Sequence, residues 1–372
     1  MSTTCRQETM HSVWDAPYFT GVTTMNIYCT PWCGGHPKPE NTIRFHTREE
    51  AELAGYRPCR NCCSTLPRGS WEDHKHEIKL FVPAEFNFEE NVKYLLRSSN
   101  ECLHRIDNNR IYKALSVADE TPVIEIRTGD CRELVVRFLG DTAPSRKWVR
   151  AEVARYVREW FDLDRDIVPF YRLAESDPLL KGPVQSFRGL RTVGIPDLFE
   201  AVTWGILGQQ INLTYAYTLK RRLVENFGRS VDCEGETYWI YPTPDKIAAC
   251  SVEDLAVLRM TVKKCEYLID TAKRIATGEL SKLGLLQTGS HQAAEKMLTS
   301  IRGIGPWTAN YVSMRCLRFP SAFPIDDVGL HNAMKHILGR DSKPSKAEIR
   351  QLSAGWSGWE SYATFYLWRV LY

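Results

Sequence analysis

Two groups of residues in this chain could do chemistry. The first is a cysteine cluster: Cys29 and Cys33 in "CTPWC", Cys59 and Cys62 in "CRNC". Two close pairs joined by one loop can converge on a single tetrahedral ion, and four soft thiolates select zinc. Cys63 adjoins Cys62 and could replace it as a ligand; Cys62 gives the usual two-residue gap. The second group lies late in the chain. The turn "IRGIGPWTANY" (301–311) is followed by the adjacent acids Asp326 and Asp327 in "SAFPIDDVGLH". Gly303 and Gly305 permit hairpin torsions and leave no side chain to block a ligand. Pro306 suits the first turn of a following helix, whose free N–H groups can bind backbone phosphate oxygens without reading sequence. Taken alone, such glycines read as a tight helical corner and such an acid pair as a helix N-cap.

The elements that must hold these groups follow from patterning. Residues 1–70 are rich in Cys, Gly, Pro and Arg and poor in helical periodicity. A segment of this size buries little core, so a bound metal would supply folding energy on the order of 10 kcal/mol or more. "LPRGSWEDHKH" (66–76) is polar and reads as a linker. "EIKLFV", "RIYKALSV", "PVIEIRT" and "RELVVRFL" are short β-like runs that predict an antiparallel sheet. "EENVKYLLRSS" and "SRKWVRAEVARYVREWF" have helical spacing. From about Gly194 the chain reads as nearly all helical. Thr243-Pro244 offers an N-cap and first-turn proline, Ser251 with Asp254 and "SKAE" (345–348) offer capping boxes, and Gly228 and Gly339 stand where C-caps would.

The whole chain sets broad bounds. Its 372 residues allow two or three domains, and 43% hydrophobic with 25% charged residues is an ordinary globular composition. A net charge of +3 permits a nucleic-acid partner without demanding one. No apolar run has membrane-span length and the N-terminus has no signal-peptide core, so a cytoplasmic protein without membrane association is expected. Twelve cysteines then argue against a disulfide framework. Cys5, Cys29, Cys33, Cys59, Cys62 and Cys63 cluster early, and the others are scattered singly like buried apolar residues.

The words around the first cluster, "YFTGVTTMNIYCTPWC…HPKPEN…RFHTREEAELAGYRPCRNC", resemble the Ada-type methylphosphotriester-repair domain over roughly residues 14–65. The resemblance implies that Cys29 is both zinc ligand and methyl-accepting nucleophile and that Arg57 contacts a DNA phosphate. A zinc-held thiolate stays deprotonated at neutral pH, as such a nucleophile must. Asn26, Thr30 and Trp32 depart from the family wording, which has glycine, arginine and serine there.

The second group resembles the helix-hairpin-helix DNA glycosylase superfamily. "LTSIRGIGPWTANYVSM" carries its hairpin and "SAFPIDDVGLH" the segment ending in its catalytic aspartate. "LFEAVTWGILGQQINLTYAYTLKRRL" and "GWESYATFYLW" narrow the likeness to the AlkA-type alkylpurine glycosylases, over about residues 77–372. The resemblance implies a multidomain α+β protein: an Ada-type zinc domain (1–70), an antiparallel β-containing lobe (77–190) and an all-α helix-hairpin-helix bundle (191–372).

The same resemblance implies the site. Asp327 is the catalytic carboxylate, and Asp326 has no assigned role. Trp307, Tyr311, Trp368 and Tyr94 form the base pocket. Gly303 and Gly305 dock double-stranded DNA containing alkylated bases. Gln210 or Ile211 is the wedge that fills the gap left by the flipped base. A monovalent cation at the hairpin and a monomeric protein also belong to this reading. Members that cut the strand carry a Schiff-base lysine where Trp307 stands, so a monofunctional enzyme leaving an abasic site is expected. The four-cysteine iron–sulfur loop of some relatives has no counterpart after Cys316. Two readings compete: a glycosylase for oxidised or mismatched bases, and a non-catalytic DNA-binding scaffold.

Overall fold

The computed structural model describes residues 18–35, 37–63, 71–130 and 132–372. Cys5 and the 66–70 part of the expected linker lie outside them. The N-terminal unit is a small sheet in the order β3-β1-β2-β4. Its strands are β1 (Phe19–Val22), β2 (Ile27–Cys29), β3 (Thr42–Phe45) and β4 (Arg57–Pro58). The helix α1 (Arg48–Leu53) starts at Thr47, whose hydroxyl accepts the Glu50 N–H. The β1–β2 turn passes through Asn26 at φ +48°. Asparagine is among the few side chains that tolerate this left-handed torsion, so it can stand where the Ada-type wording has glycine.

Six antiparallel strands follow, in the order β5-β6-β10-β9-β8-β7. They are β5 (Trp71–His74), β6 (Glu77–Phe81), β7 (Arg105–Asp107), β8 (Arg110–Ala114), β9 (Val123–Thr128) and β10 (Glu133–Phe138). The polar "WEDH" is therefore an edge strand and not linker: Trp71 pairs with Leu80 and is buried, Asp73 accepts from the buried Arg150 at 2.8 Å, and Glu72 and His74 are exposed. Ile78, Leu80, Ile111, Ile124, Ile126, Leu134 and Val136 form the inner face. Against it pack α2 (Phe88–Leu95), capped by Asn87, and α3 (Lys147–Trp160).

The remaining helices are α4 (Val168–Ser176), α5 (Lys181–Ser186), α6 (Leu198–Gly208), α7 (Leu213–Phe227), α8 (Pro244–Ala248), α9 (Val262–Ala276), α10 (Lys282–Leu286), α11 (His291–Thr299), α12 (Pro306–Arg315), α13 (Val328–Ile337), α14 (Lys346–Leu352) and α15 (Glu360–Arg369). One β-hairpin interrupts them: β11 (Arg229–Cys233) and β12 (Glu236–Ile240). Its turn residues Glu234 and Gly235 both have positive φ, as a type I′ turn requires. The hairpin lays Cys233, Tyr238 and Ile240 on Ala114, Val123 and Leu139 of the six-stranded sheet. The sequence reading passed over it because "RSVDCEGETYWI" alternates only weakly.

Thr243 caps α8 over Pro244, and Ser345 with Glu348 makes the full capping box of α14. Ser251 and Asp254 also exchange bonds, at the head of a short 3-10 turn and not an α-helix. Gly339 follows α13 at φ +62°, whereas Gly228 ends α7 with an ordinary φ of −76°. Two cores meet along α6 and α12. One runs through the sheet, α3 and α15; the other lies among α6, α7, α9, α11 and α12. Among the described residues no helix is long and apolar enough to cross a membrane.

Candidate functional site

The hairpin is the turn between α11 and α12. Gly303 sits at φ +94°, and a Cβ there would lie 2.2 Å from the Tyr267 ring, so both torsion and packing demand glycine. Gly305 differs: its torsions are ordinary (φ −89°, ψ 175°), and a Cβ would meet nothing within 4 Å. It caps α12 with no side chain, so the N–H groups at the start of that helix stay open to an anion, and Pro306 takes the first helical position.

The segment after α12 is tied down before it reaches Asp327. Asn310 on α12 accepts the Phe323 N–H at 3.0 Å and donates to Glu295 on α11 at 2.7 Å. Ser361, at the start of α15, donates to the carbonyls of Phe319 and Ala322 at 2.7 and 2.9 Å. The His331 ring donates to the Ile325 carbonyl at 2.7 Å. Asp327, buried at 9% exposure, is then the N-cap of α13.

Its carboxylate does more than cap. Oδ1 accepts the Leu330 N–H at 2.8 Å and the Trp368 indole N–H at 2.7 Å, while Oδ2 accepts the Trp307 indole N–H at 2.8 Å. Two indoles from separate helices thus hold one carboxylate at the N-terminal end of α13. Gly329 makes room: a Cβ there would stand 2.9 Å from Asp327 Oδ1 and 3.2 Å from the Trp368 ring. Asp326 points elsewhere and pairs with Lys346.

The expected aromatics do gather. Trp307 and Tyr311 lie nearly parallel, 5.5 Å apart at 30°, and Tyr311 is 6.2 Å from Trp368. Tyr94 comes from α2 and packs 4.5 Å from Phe365. Trp307 stays half-exposed while Tyr311, Trp368 and Tyr94 are buried. Behind Tyr311 a small cavity of about 50 Å³ is lined by Tyr94, Arg97, Tyr217, Tyr311 and Arg315 among others. Burial lowers the pKa of Arg315, yet a guanidinium remains charged.

The turn Gln209–Ile211 joins α6 to α7 beside the hairpin. Gln210 is exposed at its tip with φ +56°, a strained torsion for glutamine. Ile211 is half-buried and packs on both cores, which leaves Gln210 the more exposed of the two expected wedge residues. Two residues the sequence reading missed hold this turn. Gln209 Nε2 donates to the Gly303 carbonyl at 2.7 Å, joining turn to hairpin. Lys264 Nζ donates to the carbonyls of Leu207 and Gln209, both at 2.8 Å. The first glutamine of "GQQ" was a signal that could have been read; Lys264, on a distant helix, gave none.

In the N-terminal unit the ligand atoms of Cys29, Cys33, Cys59 and Cys62 lie within 4.8 Å of one another. Four thiols at this spacing suit a tetrahedral metal. The Thr30 N–H donates to Cys62 Sγ at 3.3 Å, a partner that favours thiolate. Cys63 is fully buried, with Sγ 3.5 Å from Cys62 Sγ and donating to the Tyr28 carbonyl, outside the four-ligand group. Arg57 is exposed on β4, which pairs in parallel with the strand that ends at Cys29.

Comparison with known proteins follows the same division. Residues 7–64 match the metal binding domain of Ada, 80–202 the 8-oxoguanine DNA glycosylase N-terminal domain, and 203–358 the HhH-GPD superfamily base excision DNA repair proteins. The DNA-3-methyladenine glycosylase of Bacillus subtilis is 49% identical over 303 residues, covering 82% of this chain and 100% of that protein. A probable bifunctional transcriptional activator/DNA repair enzyme AlkA of Mycobacterium tuberculosis is 32% identical over 216 residues, 58% of this chain and 42% of that one. The solved 3-methyladenine DNA glycosylase of Archaeoglobus fulgidus shares the fold. Its TM-score is 0.68 at 22% identity, over 78% of this chain and 96% of that chain.

Proposed function

This chain belongs to the DNA-3-methyladenine glycosylase family, and on that premise we propose that it releases alkylated purines of the 3-methyladenine and 7-methylguanine class from DNA by hydrolysis. The observation that carries this reading is the Asp327 carboxylate, gripped by the Trp307 and Trp368 indoles at one end of a stacked aromatic wall. The open N–H groups at Gly305 bind a backbone phosphate. Extrusion of the damaged nucleotide costs a few kcal/mol, and Gln210 fills the gap it leaves. The base stacks on Trp307 and Tyr311, where a positive charge on an N3- or N7-alkylated purine gains roughly 0.5–2 kcal/mol from the π-faces. Such a base is already a good leaving group. Ionised Asp327 stabilises positive charge developing on the sugar and orients the attacking water.

No amine stands at position 307, so no Schiff base forms and the product is an abasic site. Asp327→Asn tests the scheme. Asparagine keeps the N-cap but carries no charge, so release of 3-methyladenine from methylated duplex DNA falls by about 100-fold or more while DNA binding persists. Unchanged release removes Asp327 from the chemistry, and a borohydride-trapped enzyme–DNA adduct overturns the monofunctional reading. The match of residues 80–202 to the 8-oxoguanine glycosylase N-terminal domain supports a second reading, excision of an oxidised base. Comparing 8-oxoguanine with 3-methyladenine release decides between the two.

The four N-terminal cysteines would hold one zinc ion, which keeps its thiolate ligands deprotonated at neutral pH. Cys29 Sγ would take the methyl group of a methylphosphotriester: a C–S bond forms, the methyl C–O bond breaks and the phosphodiester leaves with the electron pair. Arg57 would hold a neighbouring phosphate. Labelled phosphotriester DNA that leaves no methyl on Cys29 overturns this arm. A monovalent cation at the hairpin, a monomeric state and a cytoplasmic location complete the reading. Replacing potassium by tetramethylammonium is expected to weaken DNA binding, and unchanged binding overturns the cation assignment.

A further inference from the structure

Beyond α15 the backbone turns back on itself. The Val370 N–H donates to the Leu367 carbonyl at 3.1 Å and the Leu371 N–H to the Trp368 carbonyl at 3.0 Å, so this turn is built on the residue that grips Asp327. Arg369 Nη1 donates to the main-chain oxygen of Tyr372 at 2.5 Å. Arg369 is itself buried, its guanidinium 4.8 Å from the Phe187 ring centroid and 3.9 Å from a Glu90 carboxylate oxygen. A cation held in the core thus fixes where Tyr372 leaves the turn.

The phenol of Tyr372 lies near the carboxylate and the aromatic wall. Burial raises its pKa, Arg97 lowers it, and Asp327, Tyr217 and Tyr311 raise it. The hydroxyl is therefore turned inward, while the residue as a whole is 49% exposed. Among the described residues its ring stacks on no other ring. Arg97 is already engaged: its Nε donates to the Tyr217 hydroxyl at 2.6 Å and its guanidinium lies 4.1 Å from the Tyr94 ring centroid. A half-wet aromatic is ordinary on a protein surface. This one is anchored through its backbone by a buried arginine, beside both Asp327 and Tyr311, and core packing gives no reason for that. A flipped purine has two π-faces, and the nearly parallel Trp307 and Tyr311 offer a wall for one of them. An electron-rich phenol ring suits the other face of a cationic alkylated base.

We propose that Tyr372 is a further base-pocket residue, whose ring covers the face of the flipped alkylpurine that Trp307 and Tyr311 leave open. The assignment rests on the glycosylase reading above. It is tested with full-length protein on two duplexes. One carries 7-methylguanine and is followed by single-turnover base release; the other carries tetrahydrofuran, which keeps the sugar and phosphates but has no base. Tyr372→Ala is expected to release 7-methylguanine at least about ten-fold more slowly, yet to bind the tetrahydrofuran duplex within about two-fold of wild type. Tyr372→Phe keeps the π-face and the rate. Tyr372→Leu keeps apolar bulk without a π-face and slows like alanine, which carries the test if the alanine variant folds poorly. Unchanged release in the alanine and leucine variants overturns the assignment. So does an equal loss on both duplexes, which marks a general DNA contact. A phenylalanine variant as slow as alanine also overturns it, because the role would then belong to the hydroxyl. Wild-type protein that releases no alkylated base brings down the glycosylase reading and the assignment together.

Discussion

Asp327 is at once a helix cap and the acceptor of two indole N–H groups, and the two duties pull on different atoms. Oδ1 is shared between the Leu330 N–H and Trp368, whereas among the described residues Oδ2 accepts from Trp307 alone. The helix-cap reading of the acid pair was thus correct for Asp327 without displacing the proposed chemistry; Asp326 is occupied by Lys346. Gly329 tests how finely this carboxylate is set. Alanine is the better helix former by roughly 0.5–1 kcal/mol, yet its Cβ would press on both Asp327 Oδ1 and Trp368. Gly329→Ala is therefore expected to leave the Tm nearly unchanged and lower the single-turnover rate by about ten- to a hundred-fold. A full-rate variant would mean that the carboxylate tolerates displacement. The residue types at the site were legible because the motif words surround them. The indole–carboxylate bonds were not, since Trp368 lies far along the chain from Asp327 and only the α13–α15 packing brings them together.

At the scale of elements, the hairpin and the Gln209–Ile211 turn behave as one device. The Gln209 amide ties the turn to the Gly303 carbonyl, and Lys264 on α9 caps the last carbonyls of α6. Partial burial pushes the Lys264 ammonium's pKa down, but the two carbonyl acceptors give its charge partners. Lys264→Met strips both carbonyls of a donor and is expected to cost about 1–3 kcal/mol in urea unfolding. It also loosens the exposed Gln210 tip, so flipping of a 2-aminopurine reporter slows more than duplex binding weakens. Equal effects on the two would uncouple the turn from flipping. The helices themselves could be read from their caps and periodicity. The β11–β12 hairpin and the β5 edge strand could not, because short strands with one wet face carry little signal until a sheet exists to receive them.

At the scale of the molecule, α15 unites the parts. Ser361 pins the segment leading to Asp327, Tyr362 donates to Asp162 at 2.6 Å, and Trp368 reaches the carboxylate. Burial opposes the charge on Asp162, but Arg318 and Arg165 outweigh it and hold the carboxyl far below its usual range. His104 sits at the junction of lobe and helices, and burial pushes its pKa down to about 4. The imidazole is therefore neutral in the fold, while the unfolded chain takes up a proton below about pH 6.5. Its contribution is complete above pH 6.5 and is lost as pH falls toward 4, by up to about 3 kcal/mol. His291, also lowered by burial, acts in the same sense. The carboxylates held low, Glu101 and Asp162, lose stability only below their ordinary values, whereas burial raises Asp197 and Glu360, which oppose the histidines as pH falls. His104→Gln is expected to narrow the difference in unfolding free energy between pH 7 and pH 5. An undiminished difference would show that His104 is not a source of the acid sensitivity.

By itself the sequence determined the division into a four-cysteine unit, a sheet and a helical half, and the residue types of both candidate sites. These depend on local spacing: thiol pairs at ligand distance, glycines at a turn, caps before apolar periodicity. What only the tertiary structure decided is which atoms meet across long separations. Trp368 on Asp327, Gln209 on Gly303, and Arg315 on Tyr94 each join elements remote in the chain. Such contacts follow from how α2, α6, α12, α13 and α15 pack, and packing geometry leaves no fixed spacing in the chain to be read.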